Sequence, residues 1–309
     1  MLSYQSKRKK RRAKNNGRSN KSTTTAKGGH MNSNTENNTA TSANQNSAVQ
    51  QVTVKGEYAS VGELKMYYEI HGTGRPLVLL HGAFMSATVY PALADSSQVI
   101  AVDLQGHGRT ADIDRPFSFE QMADDVAALL KQLEIEQTDV FGYSLGAKVG
   151  LALAIRHPEL VRRLAIYGAS YKSFEESLPP DLLEVFKQIT PETFAPKALK
   201  ESYEELSPAP NWIGLATKIL ESMKGFKGFS PEKMKAIKAE VFLSAGDHKD
   251  VNLEHMVEMH KLIPKSQLAI FPNTDHVVMM TNPDKVLVGV KEFLDNGFET
   301  VAETKQVKT

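Results

Sequence analysis

The stretch Asp139-Val140-Phe141-Gly142-Tyr143-Ser144-Leu145-Gly146 decides how this chain is read. Val140-Phe141 is bulky and apolar, as in a buried strand, while Leu145 to His157 reads as a helix stopped by Pro158. Between them stands a Gly-x-Ser-x-Gly string. A strand that turns directly into a helix leaves room only for small residues beside the serine. Such a turn lifts the Ser144 hydroxyl to the carboxyl edge of a sheet, beside a helix N terminus. A serine in a glycine turn also serves as a plain helix cap, so the rest of the chain has to supply the partners.

The same alternation extends in both directions. Leu64 to Ile70, Leu77 to Leu80 and Val99 to Val102 read as strands on the N-terminal side. Leu77 to Leu80 is a continuous apolar run, as expected of a strand buried on both faces. A helix follows, with Phe119, Met122, Val126, Leu129 and Leu133 on one face and Ser118/Gln121 as a capping box. On the C-terminal side come strands at Leu164–Ile166, Val241–Leu243 and Leu268–Ile270. A helix is expected near Leu253 to Leu262, and a last one from Asn282-Pro283, with Val286, Val290 and Phe293 inward. Strands alternating with helices predict a mostly parallel sheet covered on both sides. The rhythm breaks over residues 171–238, which read as helical, carry seven prolines and show no strand. The predicted organisation is a core of 52–170 and 239–300, an inserted helical lid at 171–238, and a flexible C terminus at 301–309.

Composition bounds the chemistry. The 309 residues contain no cysteine, which excludes a disulfide framework, a thiolate metal site and a cysteine nucleophile. The net charge of +1 hides an asymmetry. Residues 1–51 hold ten Lys or Arg against Glu36 alone, net +9, and the remaining 258 residues hold 27 bases against 35 acids, net −8. The first segment is rich in Asn, Ser, Thr and Lys and poor in large apolar residues, so it is expected to be disordered. Its run Lys7 to Arg12 suits anionic partners, but no apolar secretory segment follows it. Apolar runs elsewhere are strand-length, so no membrane span is predicted and a cytoplasmic location is expected. No nucleic-acid partner is expected of the body of the chain, and the oligomeric state is left open.

A serine hydroxyl needs a base at neutral pH. His276, in Phe271-Pro272-Asn273-Thr274-Asp275-His276 after the last predicted strand, is the best candidate. His81 and His107 lie in glycine loops and are expected to shape backbone. The base needs an acid to fix its tautomer, and Gly246-Asp247-His248-Lys249-Asp250 offers Asp247 or Asp250. A developing oxyanion needs two backbone donors, for which the N–H groups of Ala83 and Leu145 are placed by position. Phe84 and Tyr143 flank the nucleophile loop and are expected to line a substrate pocket. Lys148 is read as a surface residue. No metal or cofactor is called for, since no glycine-rich phosphate loop is present.

With these residues in view, the chain resembles a lid-bearing, single-domain α/β-hydrolase of the bacterial esterase-like kind. His81-Gly82, Asp103 to Gly108, Gly142 to Gly146, Gly246-Asp247 and His276 stand in that family's order over about Gly62 to Phe293. The resemblance implies a Ser144–His276–Asp triad on an eight-stranded sheet with an inserted lid. One departure stands out: the family's usual acid position is Lys249 here, with Asp247 before it and Asp250 after it. Asp250 is the preferred acid and Asp247 the alternative. A serine nucleophile argues against halide removal and epoxide opening, and for acyl transfer. The expected substrate is a small molecule with an apolar acyl or aryl group, cleaved as an ester. A carbon–carbon hydrolase or lactonase using the same triad is the alternative, as is a ligand-binding homologue lacking the acid.

Overall fold

The computed structural model describes residues 56–88, 90–248 and 252–298. The basic segment 1–51, Lys249, Asp250 and the C-terminal 301–309 lie outside the described residues.

Leu77 and Leu79 enter one apolar cluster while Val78 and Leu80 enter another, as the period of a strand buried on both faces demands. This strand, β3 (Arg75–Leu80), is one of eight. The others are β1 (Glu57–Val61), β2 (Leu64–His71), β4 (Ser97–Val102), β5 (Thr138–Tyr143), β6 (Val161–Tyr167), β7 (Glu240–Gly246) and β8 (Ser266–Phe271). Their order is β1-β2-β4-β3-β5-β6-β7-β8. β2 runs antiparallel to β1 and β4, and every other pairing is parallel. The sheet is therefore mostly parallel, as predicted. β1 was not legible from the sequence, because its burial alternates and it carries polar residues; it pairs with β2 across a turn at Gly62, whose φ is +56°.

Helices cover both faces. α2 (Phe119–Gln132), α3 (Leu145–Arg156) and α9 (Leu253–Leu262) pack on one side. α1 (Pro91–Ala94), α10 (Val278–Thr281) and α11 (Asp284–Asn296) pack on the other. The Ser118 hydroxyl caps α2 by accepting from Gln121 N–H at 3.3 Å. The last helix differs from expectation. Asn282 ends the short α10 and α11 starts at Asp284, so Asn282 does not cap it.

Between β6 and β7 lie five helices: α4 (Phe174–Ser177), α5 (Pro180–Lys187), α6 (Lys197–Leu206), α7 (Trp212–Gly225) and α8 (Pro231–Lys235). The strand-free reading of this segment needs one amendment, a single antiparallel bridge between Lys172 and Gly228. That bridge joins the start of the insertion to the segment between α7 and α8. Tyr171, Trp212, Leu215, Ile219 and Phe226 bury their side chains in the core cluster on the α2/α3 side. Among the described residues no helix is long and apolar enough to cross a membrane.

Candidate active site

Ser144 sits between the last residue of β5 and the first of α3, with φ 56° and ψ −111°. A non-glycine residue at positive φ costs about 1–3 kcal/mol, so the surroundings must hold it there. They do. Its N–H donates to Tyr167 O at 2.9 Å, across to the end of β6. A Cβ on Gly142 would lie 2.5 Å from Gly146 O, and one on Gly146 would collide with Leu80 O. Both flanking glycines are thus required by close backbone approach.

His276 follows β8 in a loop built around a backbone turn. Asn273 takes φ 49°, and the Thr274 hydroxyl donates to Pro272 O at 2.9 Å. The turn places His276 Nε2 2.9 Å from Ser144 Oγ. The candidate nucleophile and base, 132 positions apart in sequence, are therefore within hydrogen-bond reach.

Asp247 is part of the same loop system. Its carboxylate accepts from Thr274 N–H at 3.2 Å, and its own N–H donates to Phe271 O at 3.1 Å. Hydrogen bonds from the Asn273 and Thr274 backbone hold this carboxyl below its ordinary value. Asp247 thus fastens the turn that precedes His276. Asp250 and Lys249 lie outside the described residues.

The loop after β3 carries Ala83. It is tied to α3 by Gly146 N–H, which donates to His81 O at 3.0 Å. His81 Nε2 accepts from Leu104 N–H at 3.1 Å, so the proton sits on Nδ1 and is given to Gly82 O at 2.8 Å. Burial pushes the His81 imidazole down to about 4 and that of His107 to about 3. Both are neutral and shape backbone, as their glycine-loop settings suggested. Asp103, fully buried, accepts from the N–H groups of Ala87 and Arg109 and fixes the same loop from beneath. Leu145 is the first residue of α3, so its N–H has no intrahelical acceptor.

Phe84 and Tyr143, the two expected pocket residues, both have buried rings. Phe84, at φ 64° and 6% exposed, packs on Phe194 at 5.0 Å and Trp212 at 4.8 Å. It joins the loop after β3 to the inserted helices. Tyr143, 5% exposed, points to the α1/α10/α11 side, and its hydroxyl donates to His276 O at 2.8 Å. Lys148 corrects its surface reading. Its ammonium lies 4.4 Å from the Phe226 ring centre and 5.6 Å from that of Phe119, and burial lowers it to about 8. The signal missed was Phe119, one helix away, and Phe226, at the end of α7. A cavity of about 780 Å³ beside α2, lined by Asp124, Lys131, Glu134 and His157 among others, includes neither Ser144 nor His276.

A family model described as "Alpha/beta hydrolase family" matches residues 77–289. The chain is 41% identical over 111 residues to a 2-hydroxymuconate semialdehyde hydrolase of Pseudomonas sp. (strain CF600), over 33% of this chain and 39% of that one. It therefore spans about two fifths of that relative's length. It is 28% identical over 262 residues to a 2-hydroxy-6-oxo-2,4-heptadienoate hydrolase of Pseudomonas putida, over 72% of this chain and 90% of the relative. Among solved structures it superposes on an enol-lactonase from Burkholderia xenovorans LB400 with a TM-score of 0.64, at 19% identity, over 77% of this chain and 100% of the other.

Proposed function

The chain belongs to the alpha/beta hydrolase family, and from that premise we propose that it is a serine hydrolase cleaving a carboxylic ester or related acyl compound. The observation that carries the reading is the 2.9 Å approach of His276 Nε2 to Ser144 Oγ at a strand-to-helix turn. In this reading His276 takes the Ser144 proton as Oγ bonds to the substrate carbonyl carbon. The N–H groups of Ala83 and Leu145 hold the resulting oxyanion. His276 then protonates the leaving alcohol as the ester C–O bond breaks, leaving an acyl group on Ser144. Water, deprotonated by His276, attacks that carbonyl, and the acid departs as Ser144 recovers its proton. Asp250 orients His276; the support is that the Asp247 carboxylate is taken up by the turn backbone. The helices between β6 and β7 act as the lid, and the Phe84–Phe194–Trp212 rings favour an apolar acyl or aryl group.

A carbon–carbon hydrolase is the second reading, favoured by the names of the two Pseudomonas relatives. An acidic substrate of that kind would call for free cations over the site. Of the seven lysines at 172, 187, 197, 200, 218, 224 and 227, the first five pair with carboxylates, and among the described residues the last two have no ion pair. The test is turnover of p-nitrophenyl acetate, butyrate and octanoate, beside a hydroxy-oxo-dienoate followed by its absorbance, in the wild type and Ser144→Ala. Ser144-dependent turnover of the esters is expected. Ser144-dependent loss of the dienoate alone would select the second reading, and no Ser144-dependent turnover would sink both.

A further inference from the structure

We propose that Tyr143 and Tyr167 form a two-point phenolic clamp that sets the position of His276 against Ser144. The proposal rests on the reading of His276 as the general base. Tyr143 ends β5, Tyr167 ends β6, and the register pairs them directly. Both side chains enter the same apolar cluster, with ring centres 6.3 Å apart. The Tyr143 hydroxyl donates to His276 O at 2.8 Å, and that of Tyr167 to Asp275 O at 2.7 Å. The two bonds fall on successive peptide units. One bond alone would leave the segment a pivot, whereas two fix its position and its rotation about the chain axis.

Most other fastenings of this loop act earlier in sequence; an exception is Val278 N–H, which donates at 3.3 Å to Asp275 O and shares it with the Tyr167 hydroxyl. Asp247 holds Thr274 N–H, and the Lys285 ammonium donates to Pro272 O and Asn273 O. The phenols act on the base itself and the residue before it. Tyr143 does more than donate. Its ring centre lies 5.5 Å from that of the His276 imidazole. The same ring abuts the loop of Ala83, since a Cβ on Gly82 would lie 2.8 Å from Tyr143 Cε1. One side chain therefore touches the base, its backbone and the loop of a candidate oxyanion donor, while its next residue is the nucleophile. Both tyrosines are buried and donate their hydroxyls to backbone carbonyls, so they act on the reaction through His276, as positioning residues.

The experiment compares Tyr143→Phe, Tyr167→Phe and the double variant with the wild type on p-nitrophenyl butyrate. Active sites are titrated with a fluorophosphonate, and thermal midpoints and pH profiles are recorded. Each single change should lower kcat per titrated site by about 3- to 10-fold, the size of one neutral hydrogen bond. The double should lose about 100-fold, as expected when a catalytic group drifts by about 1 Å. KM should hold, and the acidic limb of the kcat/KM profile should move. A folded double variant with wild-type kcat per site and an unmoved limb, changed only in thermal midpoint, overturns the clamp. If the double does not fold, wild-type kcat in both singles overturns it equally. A wild type without Ser144-dependent turnover or labelling overturns the general-base reading as well, so the two failures are distinct.

Discussion

Gly168 and His276 are in contact through the absence of a side chain: a methyl group on Gly168 would lie 2.8 Å from Nδ1 of the imidazole. Gly168 takes φ +72° and donates its N–H to Ser244 O at 3.0 Å, which fixes the backbone on which the ring rests. Gly168→Ala should push the imidazole off Ser144 Oγ. A displacement of about 1 Å predicts a loss of about 100-fold in kcat. The left-handed backbone adds about 1–2 kcal/mol of destabilisation. Ester turnover and thermal unfolding of the variant check both; unchanged kcat would show that the ring tolerates the extra methyl.

The acid is separable by two amide substitutions. Asp247→Asn keeps an acceptor oxygen for the Thr274 N–H, so the turn before His276 should survive and activity should stay within about 10-fold. Asp250→Asn should remove the negative partner of the imidazolium, with a loss approaching 10⁴-fold by the precedent of serine proteases. Kinetics of the pair decide it, and the reverse ranking would assign the acid to Asp247. Asp247 also predicts a pH effect on stability. Its carboxyl is held low by backbone N–H groups, so its contribution is present above the ordinary carboxylate range and lost as pH falls through its lowered value. Thermal midpoints of the wild type and Asp247→Asn should converge on acidification.

How far the sequence reached depends on the range of the signal. The strands around Leu77–Leu80 and Val140–Phe141 were legible because apolar runs between turn residues are local patterns. Ser144 was legible because the elbow writes its steric demands into adjacent glycines. His276 was found by elimination and its place after a strand. Contacts made by register were not legible: Tyr143 meets Tyr167 only once β5 pairs with β6, and Gly168 meets His276 only once β8 closes the sheet edge. Lys148 was misread for the same reason, since its rings come from α2 and from the end of α7.

Lys148 predicts an alkaline signature. Burial lowers its ammonium from 10.5 to about 8. Between those values the unfolded chain holds a proton that the folded chain has released, so stability rises with pH across that window. Lys148→Met should stabilise the protein at pH 7 by about 1 kcal/mol after allowing for partial exposure and the attraction of the Phe226 ring. The gain should shrink toward pH 10. Denaturant unfolding at pH 7 and 10 checks it; a less stable Met variant at pH 7 would mean that the rings outweigh the cost of burial.

Phe84 links the loop that carries Ala83 to the inserted helices, through Phe194 on one side and Trp212 on the other. Removing its ring leaves a void at this junction. Phe84→Ala should destabilise by about 3–5 kcal/mol, the usual range for a buried phenylalanine, and φ 64° brings no relief because Ala keeps the Cβ. The kinetic effect should depend on the substrate. If the inserted helices act as the proposed lid, loosening them costs a long acyl chain its apolar contacts at roughly 0.8 kcal/mol per methylene no longer buried. KM for the octanoate ester should therefore rise well above that for acetate, while kcat on acetate stays near that of the wild type, because the Phe84 ring packs on Phe194 and Trp212. Equal losses on acetate and octanoate would instead place the effect on the Ala83 N–H, making Phe84 a support of the oxyanion loop and leaving chain-length selection to other residues of the insertion.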